Sequence, residues 1–179
     1  MAEAKVKINR APVMTLWSTI VAEQLGFERQ EALTLGKVVT GLNAQAKGQR
    51  LGIFTPGEEK SEKAREKERD VEFYIELLGR AVPAINRDEG IRAISKGKPV
   101  DPKSVERYLE KKFGESLPDV RAAMEELAKV YDEKELASKA YSLYEKFRPK
   151  IPEGVRGWGA EGELDLSLIR SLAKQQEKG

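Results

Sequence analysis

The sequence predicts a predominantly helical α+β protein, and three observations carry that expectation. Apolar residues recur at helical spacing over most of the chain, short stretches alternate at period two, and capping residues stand where the periodic runs begin or end. The expected layout is an N-terminal helix-turn-helix-like unit over residues 1–56, a charged helix or linker over 57–70, and a small β-hairpin plus C-terminal helical bundle over 71–179. The last unit is able to pack with the first as a single domain.

Residues 4–9 alternate Lys5, Val6, Lys7 and Ile8 as a half-buried strand does. Pro12 breaks the pattern, and Val13, Leu16, Trp17, Ile20, Val21 and Leu25 then form one apolar stripe of a helix. Gly26 stops it, because glycine accepts the left-handed conformation of a C-terminal cap. Glu28 and Glu31 suit the dipole at the start of a second helix, whose inner stripe is Leu35, Val38, Val39, Leu42 and Ala46. Gly36 and Gly41 lower its propensity by roughly 1 kcal/mol each, so close packing by another element is expected at both.

Residues 57–70 are nearly all charged, with Ala64 the one apolar residue, and mark the best boundary. Val71, Phe73, Ile75 and Leu77 then alternate with Glu72, Tyr74 and Glu76, Gly79 turns the chain, and residues 80–86 return as a second strand. Pro83 lacks a ladder donor and assigns that strand to an edge. A lone hairpin is marginal, so residues 5–9 are available as its third strand.

A short helix is expected over residues 88–95. The next opens with Asp101 as cap and Pro102 at its first position and buries Val105, Tyr108, Leu109 and Phe113. A third carries Val120, Met124, Leu127 and Tyr131. The fourth has Asp132 as cap with Glu135 three residues on, and a stripe of Leu136, Ala140, Leu143, Tyr144 and Phe147. A Gly/Pro-rich loop runs to Gly162, and a last helix holds Leu164, Leu168, Ile169 and Leu172.

Composition narrows the chemistry. The 179 residues include no cysteine and no histidine. Disulfides, thiolate nucleophiles, sulfur-based zinc sites and the Ser-His-Asp arrangement are thereby excluded. Catalysis would have to rest on carboxylates, Lys, Tyr, Ser or a hard cation, so a non-enzymatic protein without cofactor is expected. The 32 cations and 30 acids leave a net charge of +2, too small to imply a polyanionic partner without a favourable distribution. A mean hydropathy of −0.55, no apolar run near the roughly 20 residues of a membrane span and no signal-like N-terminus predict a cytoplasmic protein.

The distribution of charge is what points to DNA. Residues 32–57 hold no acid, only Lys37, Lys47 and Arg50, and no acid lies between Glu3 and Glu23. Ala22 and Gly26 have the small-residue and turn-glycine spacing of a helix-turn-helix, with Val21, Leu25, Phe27, Ala32 and Leu35 at the apolar positions. On that basis the second helix turns Glu28, Arg29, Gln30, Thr34 and Lys37 outward. Arg29 and Gln30 face bases, while Lys37, Asn43, Lys47, Arg50, Lys5 and Arg10 hold phosphates of duplex DNA. Glu28 and Glu31 oppose that placement and shift the expected contact toward Lys47 and Arg50. A tight αα-corner in a helical core fits the same spacing.

Gly157, Gly159 and Gly162 match G-x-G-x-x-G, but no strand precedes them and no βαβ unit follows, so a dinucleotide site is rejected. The loop instead presents Arg156 and Trp158 to an anion or a partner. With the helical bundle it defines the alternative function, a protein-interaction module. Ser171 and Lys174 fit S-x-x-K without companion elements. Glu161, Glu163 and Asp165 are loop and capping acids before a weak cation site.

The run from Arg10 to Trp17, the segments Glu31 to Lys37 and Gly41 to Gly48, and the stretches beginning at Leu78, Ser104 and Arg156 resemble an uncharacterised group of similarly sized bacterial proteins. The resemblance spans nearly the whole chain and implies no activity, cofactor or functional residue.

Overall fold

A computed structural model describes residues 5–50, 71–95, 97–149 and 161–178; for 44–50, 161 and 175–178 it describes the backbone alone. The charged segment 57–70 and the loop residues Arg156 and Trp158 lie outside the described residues. The protein is α+β and predominantly helical.

The first helix, α1 (Arg10–Gln24), is the spine of the molecule. Every residue from Pro12 to Ala22 is buried, which corrects the single apolar stripe expected from the sequence. The reason is that α1 touches a neighbour on every side: α2 (Arg29–Arg50), α3 (Pro102–Phe113), α4 (Leu117–Lys129) and α5 (Glu133–Phe147). A helix enclosed all round has no solvent face to mark with polar residues. Trp17 sits at its centre, donating Nε1–H to the Ala140 carbonyl at 2.9 Å and meeting the Phe147 ring edge-on at 5.2 Å.

Gly26, at φ 109°, ends α1 as expected. α2 then folds back along α1 rather than crossing it at a corner. Thr15 and Thr40 share a hydroxyl hydrogen bond of 2.7 Å. Those residues lie several turns from the connection, and helices crossing steeply would have parted by that distance. The pair is an antiparallel αα-hairpin. A Cβ at Gly36 would stand 2.6 Å from both the Thr15 carbonyl and Thr19 Oγ1, so the close approach expected there is present. Gly41 corrects the same expectation: a Cβ there meets nothing within 4 Å.

The hairpin of strands grows to four, in the order β2 (Phe73–Leu77), β3 (Arg80–Arg87), β4 (Gly90–Ser95), β5 (Lys98–Pro99), all antiparallel. Leu78 and Gly79 make the first turn with φ of 48° and 75°. The type I′ turn, whose twist matches the strands, takes positive φ at both residues, and burial of Leu78 in the core offsets its strain. The expected helix over 88–95 is instead β4. Asp88 and Glu89 turn the chain, and Gly90, at φ 120°, starts a strand that a short Ile/Ala pattern does not distinguish from a helix.

Pro83 also departs from expectation, since β3 is an inner strand. It lies opposite Tyr74 of β2, in the half of β3 that β4 does not reach; β4 pairs only with Ala84 to Arg87. Residues 5–9 do not join this sheet. As β1 (Lys5–Asn9) they pair antiparallel with β6 (Glu161–Asp165), Val6 opposite Leu164. Leu164 therefore belongs to a strand, and the last helix, α6 (Leu166–Lys178), begins after Asp165, whose Oδ1 accepts the Ser167 N–H at 2.9 Å.

Local signals held in the bundle. Asp101 Oδ1 accepts the Lys103 N–H at 3.0 Å and Asp132 Oδ1 the Glu135 N–H at 2.8 Å, the two caps expected. Arg121 of α4 pairs with Glu125 on its own helix and with Glu23 of α1. One continuous apolar cluster joins residues of α1, α2, the β2–β5 sheet and the bundle. No helix among the described residues is long and apolar enough to cross a membrane.

Candidate anion site at the turn end of the helical hairpin

The start of α2 is fixed by side chains that the sequence assigned to solvent. Glu31 Oε1 accepts the Glu28 N–H at 2.9 Å, closing the first turn. Its other oxygen accepts the Ile91 N–H of β4 at 2.8 Å. One turn on, Thr34 is fully buried, and its Oγ1 accepts the Ala93 N–H at 3.0 Å while donating to the Glu31 carbonyl. Two side chains of α2 thus complete the edge of β4 where β5 does not pair with it, satisfying N–H groups that would otherwise be left open. This overturns the outward placement of Thr34. A helix with a sheet against this face cannot lie in a major groove along it.

Beside this seam lies Arg92, 6% exposed. Its Nη1 donates to the Ile91 carbonyl at 2.9 Å and Nη2 to Gln30 Oε1 at a stretched 3.5 Å. A guanidinium carries five donors and stays charged. Only these two have acceptors, and Arg92 forms no ion pair, among the described residues. The Glu31 carboxylate is close by but outside ion-pair distance, and no Arg92 nitrogen is a buried atom without a partner, so the spare donors open toward the cleft. The β3–β4 turn crowds the same spot: a Cβ at Gly90 would stand 3.1 Å from Glu31 Oε2 and 3.5 Å from Arg92 Nη1.

Arg92 forms part of the wall of an open cleft of about 390 Å³. Gln30 comes from α2, Arg87 and Glu89 from the β3–β4 turn region, and Asp101 and Lys103 from the start of α3. Pro99, Val100 and Pro102 form an apolar wall. The end of α3 contributes little as a dipole site, because its N–H groups are occupied: Lys103 N–H by Asp101 Oδ1 and Ser104 N–H by the Asp101 carbonyl. Anion recognition here belongs to side chains, with three cations against Glu89 and a carboxylate already serving as a cap.

The residues named from the sequence for DNA are spread along the molecule. Gln30 lines the cleft, and Arg29 is exposed at the same end of α2. Lys37 lies over the Tyr108 ring of α3, 5.2 Å from its centroid. Asn43 is buried, donating to the Val39 carbonyl and accepting from Arg80 Nε at 3.0 Å. Lys47 and Arg50 belong to the last turns of this 22-residue helix. At 1.5 Å per residue they lie about 30 Å from Arg29. Lys5 pairs with Glu163 across β1–β6 at 3.4 Å. Arg10 Nε donates to the Pro149 carbonyl at 3.0 Å.

Arg87, Arg92 and Lys103 were not singled out in the sequence. The available signal was the D-x-G turn at Asp88 and Gly90, which makes 90–95 a strand and turns Arg92 inward. Comparison with protein-family models, curated proteins and solved structures gives no match to this chain.

Proposed function

We propose that the protein is a non-enzymatic binding protein whose cleft takes a phosphate group, held by the Arg92 fork with Arg87 and Lys103 closing over it. The observation that supports this most is Arg92 itself, a mostly buried side chain that lines the cleft and has spare N–H donors and no ion pair among the described residues. Arginine recognises phosphate through paired N–H donors, and a charge-assisted bond supplies about 1.5–3 kcal/mol. Inorganic phosphate followed by titration calorimetry is expected to bind with a Kd on the order of 1 mM. Arg92→Gln should abolish the signal. Arg87→Gln and Lys103→Gln, at exposed positions, should each weaken it by about threefold to tenfold, roughly 1 kcal/mol apiece. Undiminished binding by both exposed variants, or no binding by the parent, refutes the proposal.

Duplex DNA held by its backbone is the second reading, favoured by an observation at the opposite end of the hairpin. Burial above all, and the neighbouring Arg148 second, lower the pKa of Arg10 from its ordinary value, so two cations stand close together at this end. The α2 exit carrying Lys47 and Arg50 leaves at the same end. In this reading low-salt gel retardation of duplex DNA is lost in the Lys47→Glu, Arg50→Glu double variant, and the salt slope falls by about one per contact removed. Retention of binding by that variant rejects it.

A further inference from the structure

We infer that the ligand of the cleft is a phosphomonoester on a small hydroxyl-bearing body, of the size of a sugar phosphate or a nucleoside monophosphate. This rests on the reading of the cleft as a phosphate site and goes beyond it in three respects.

The first is room. A free phosphate leaves most of about 390 Å³ empty. Small-molecule sites begin near 300 Å³, so the cleft suits a body of modest size.

The second is the placement of opposite charges. Arg92 is buried, whereas Glu89 is exposed on the turn that forms one lip of the cleft, and it makes no hydrogen bond or ion pair among the described residues. A carboxylate repels a bare anion but accepts hydrogen bonds from hydroxyl groups. The cleft therefore carries both signs of charge, and a ligand complementary to it combines an anion with hydroxyl donors. Asp101 is a weaker candidate for that role, since one of its two carboxylate oxygens is already engaged by the Lys103 N–H as a helix cap.

The third is the wall. Pro99, Val100 and Pro102 add a stiff apolar surface to the same cleft, suited to the C–H face of a sugar ring. Glu89 and the neighbouring Asp88 also argue against a polymer, because a nucleic-acid backbone would bring further phosphates against these acids.

Titration calorimetry on the intact protein with ribose 5-phosphate, inorganic phosphate, dimethyl phosphate and ribose tests this. Ribose 5-phosphate is expected to bind at least about tenfold tighter than inorganic phosphate, the equivalent of 1.4 kcal/mol, and dimethyl phosphate more weakly than either. Glu89→Ala is expected to remove most of the sugar's advantage while leaving inorganic phosphate bound as well or better. Equal affinities for ribose 5-phosphate and phosphate overturn the inference and leave the phosphate site standing. An advantage that survives in Glu89→Ala also overturns it. Absence of phosphate binding in the parent removes both.

Discussion

Trp17→Ala is expected to lower the unfolding free energy by about 3–5 kcal/mol, the largest effect of any single substitution in the described core. The indole is fully buried at the centre of the spine helix. Its ring edge contact to Phe147, at an interplanar angle of 87°, continues to Tyr144, whose ring lies 6.1 Å from the same phenylalanine. Truncation removes apolar contact on several sides at once and leaves a cavity that four surrounding helices cannot close without moving together. Trp17→Phe separates the contributions, since it retains an aromatic ring and deletes the donor to Ala140. Its expected cost is closer to 1–2 kcal/mol, from the lost hydrogen bond and a smaller void. Urea unfolding followed by circular dichroism measures both. A loss below about 1 kcal/mol for the alanine variant would contradict the packing of α1 against α5.

Two glycines on one helix give the second expected result, with opposite signs. Gly36→Ala should destabilise by about 1–3 kcal/mol, because its methyl group collides with a backbone carbonyl and a hydroxyl committed to a hydrogen bond. Backbone atoms are not the movable end of a flexible chain, so relief requires α1 and α2 to separate and weakens the Thr15–Thr40 contact as well. Gly41→Ala meets open space and should stabilise the same helix by up to about 1 kcal/mol through propensity alone. Thermal unfolding of the two variants beside the parent is the check. Shifts of the same sign would contradict the side-by-side hairpin.

These glycines also show how far the sequence was legible. Their shared spacing in a helix marks both as unusual, but only a second element distinguishes the crowded one from the open one. Signals confined to a few residues were readable: Gly26 as a stop, Asp101 with Pro102, and Asp132 with Glu135 all act within one turn. Pairings over long separations were not. Nothing near Val6 announces Leu164 as its partner, and residues 5–9 could be given an alternating pattern but no sheet. Residues 90–95 were misread because Ile91, Ala93 and Ile94 satisfy helical and extended spacing alike. The candidate site suffered most. Gln30 was named for a different ligand, while Arg87, Arg92 and Lys103 come from a turn, a strand and a helix start whose convergence is a tertiary fact. Glu31 and Thr34 look like solvent-facing helix residues until β4 is placed against them.

The spine helix has a further consequence when the chain is made from its N-terminus. Residues 10–24 leave the ribosome before the bundle does, and the α5 surface that covers Trp17 ends at Phe147, more than a hundred residues later. At about 5–20 residues per second, α1 waits roughly 6–25 s before its last covering helix exists. Until α3 and α4 follow, α2 alone among its covering helices can shield it, and one partner cannot cover a helix that is buried on every side in the finished fold. The residues of α1 that the finished fold buries thus stay partly uncovered for most of the synthesis of the described chain. The full cover of α1 is timed by the synthesis of the bundle.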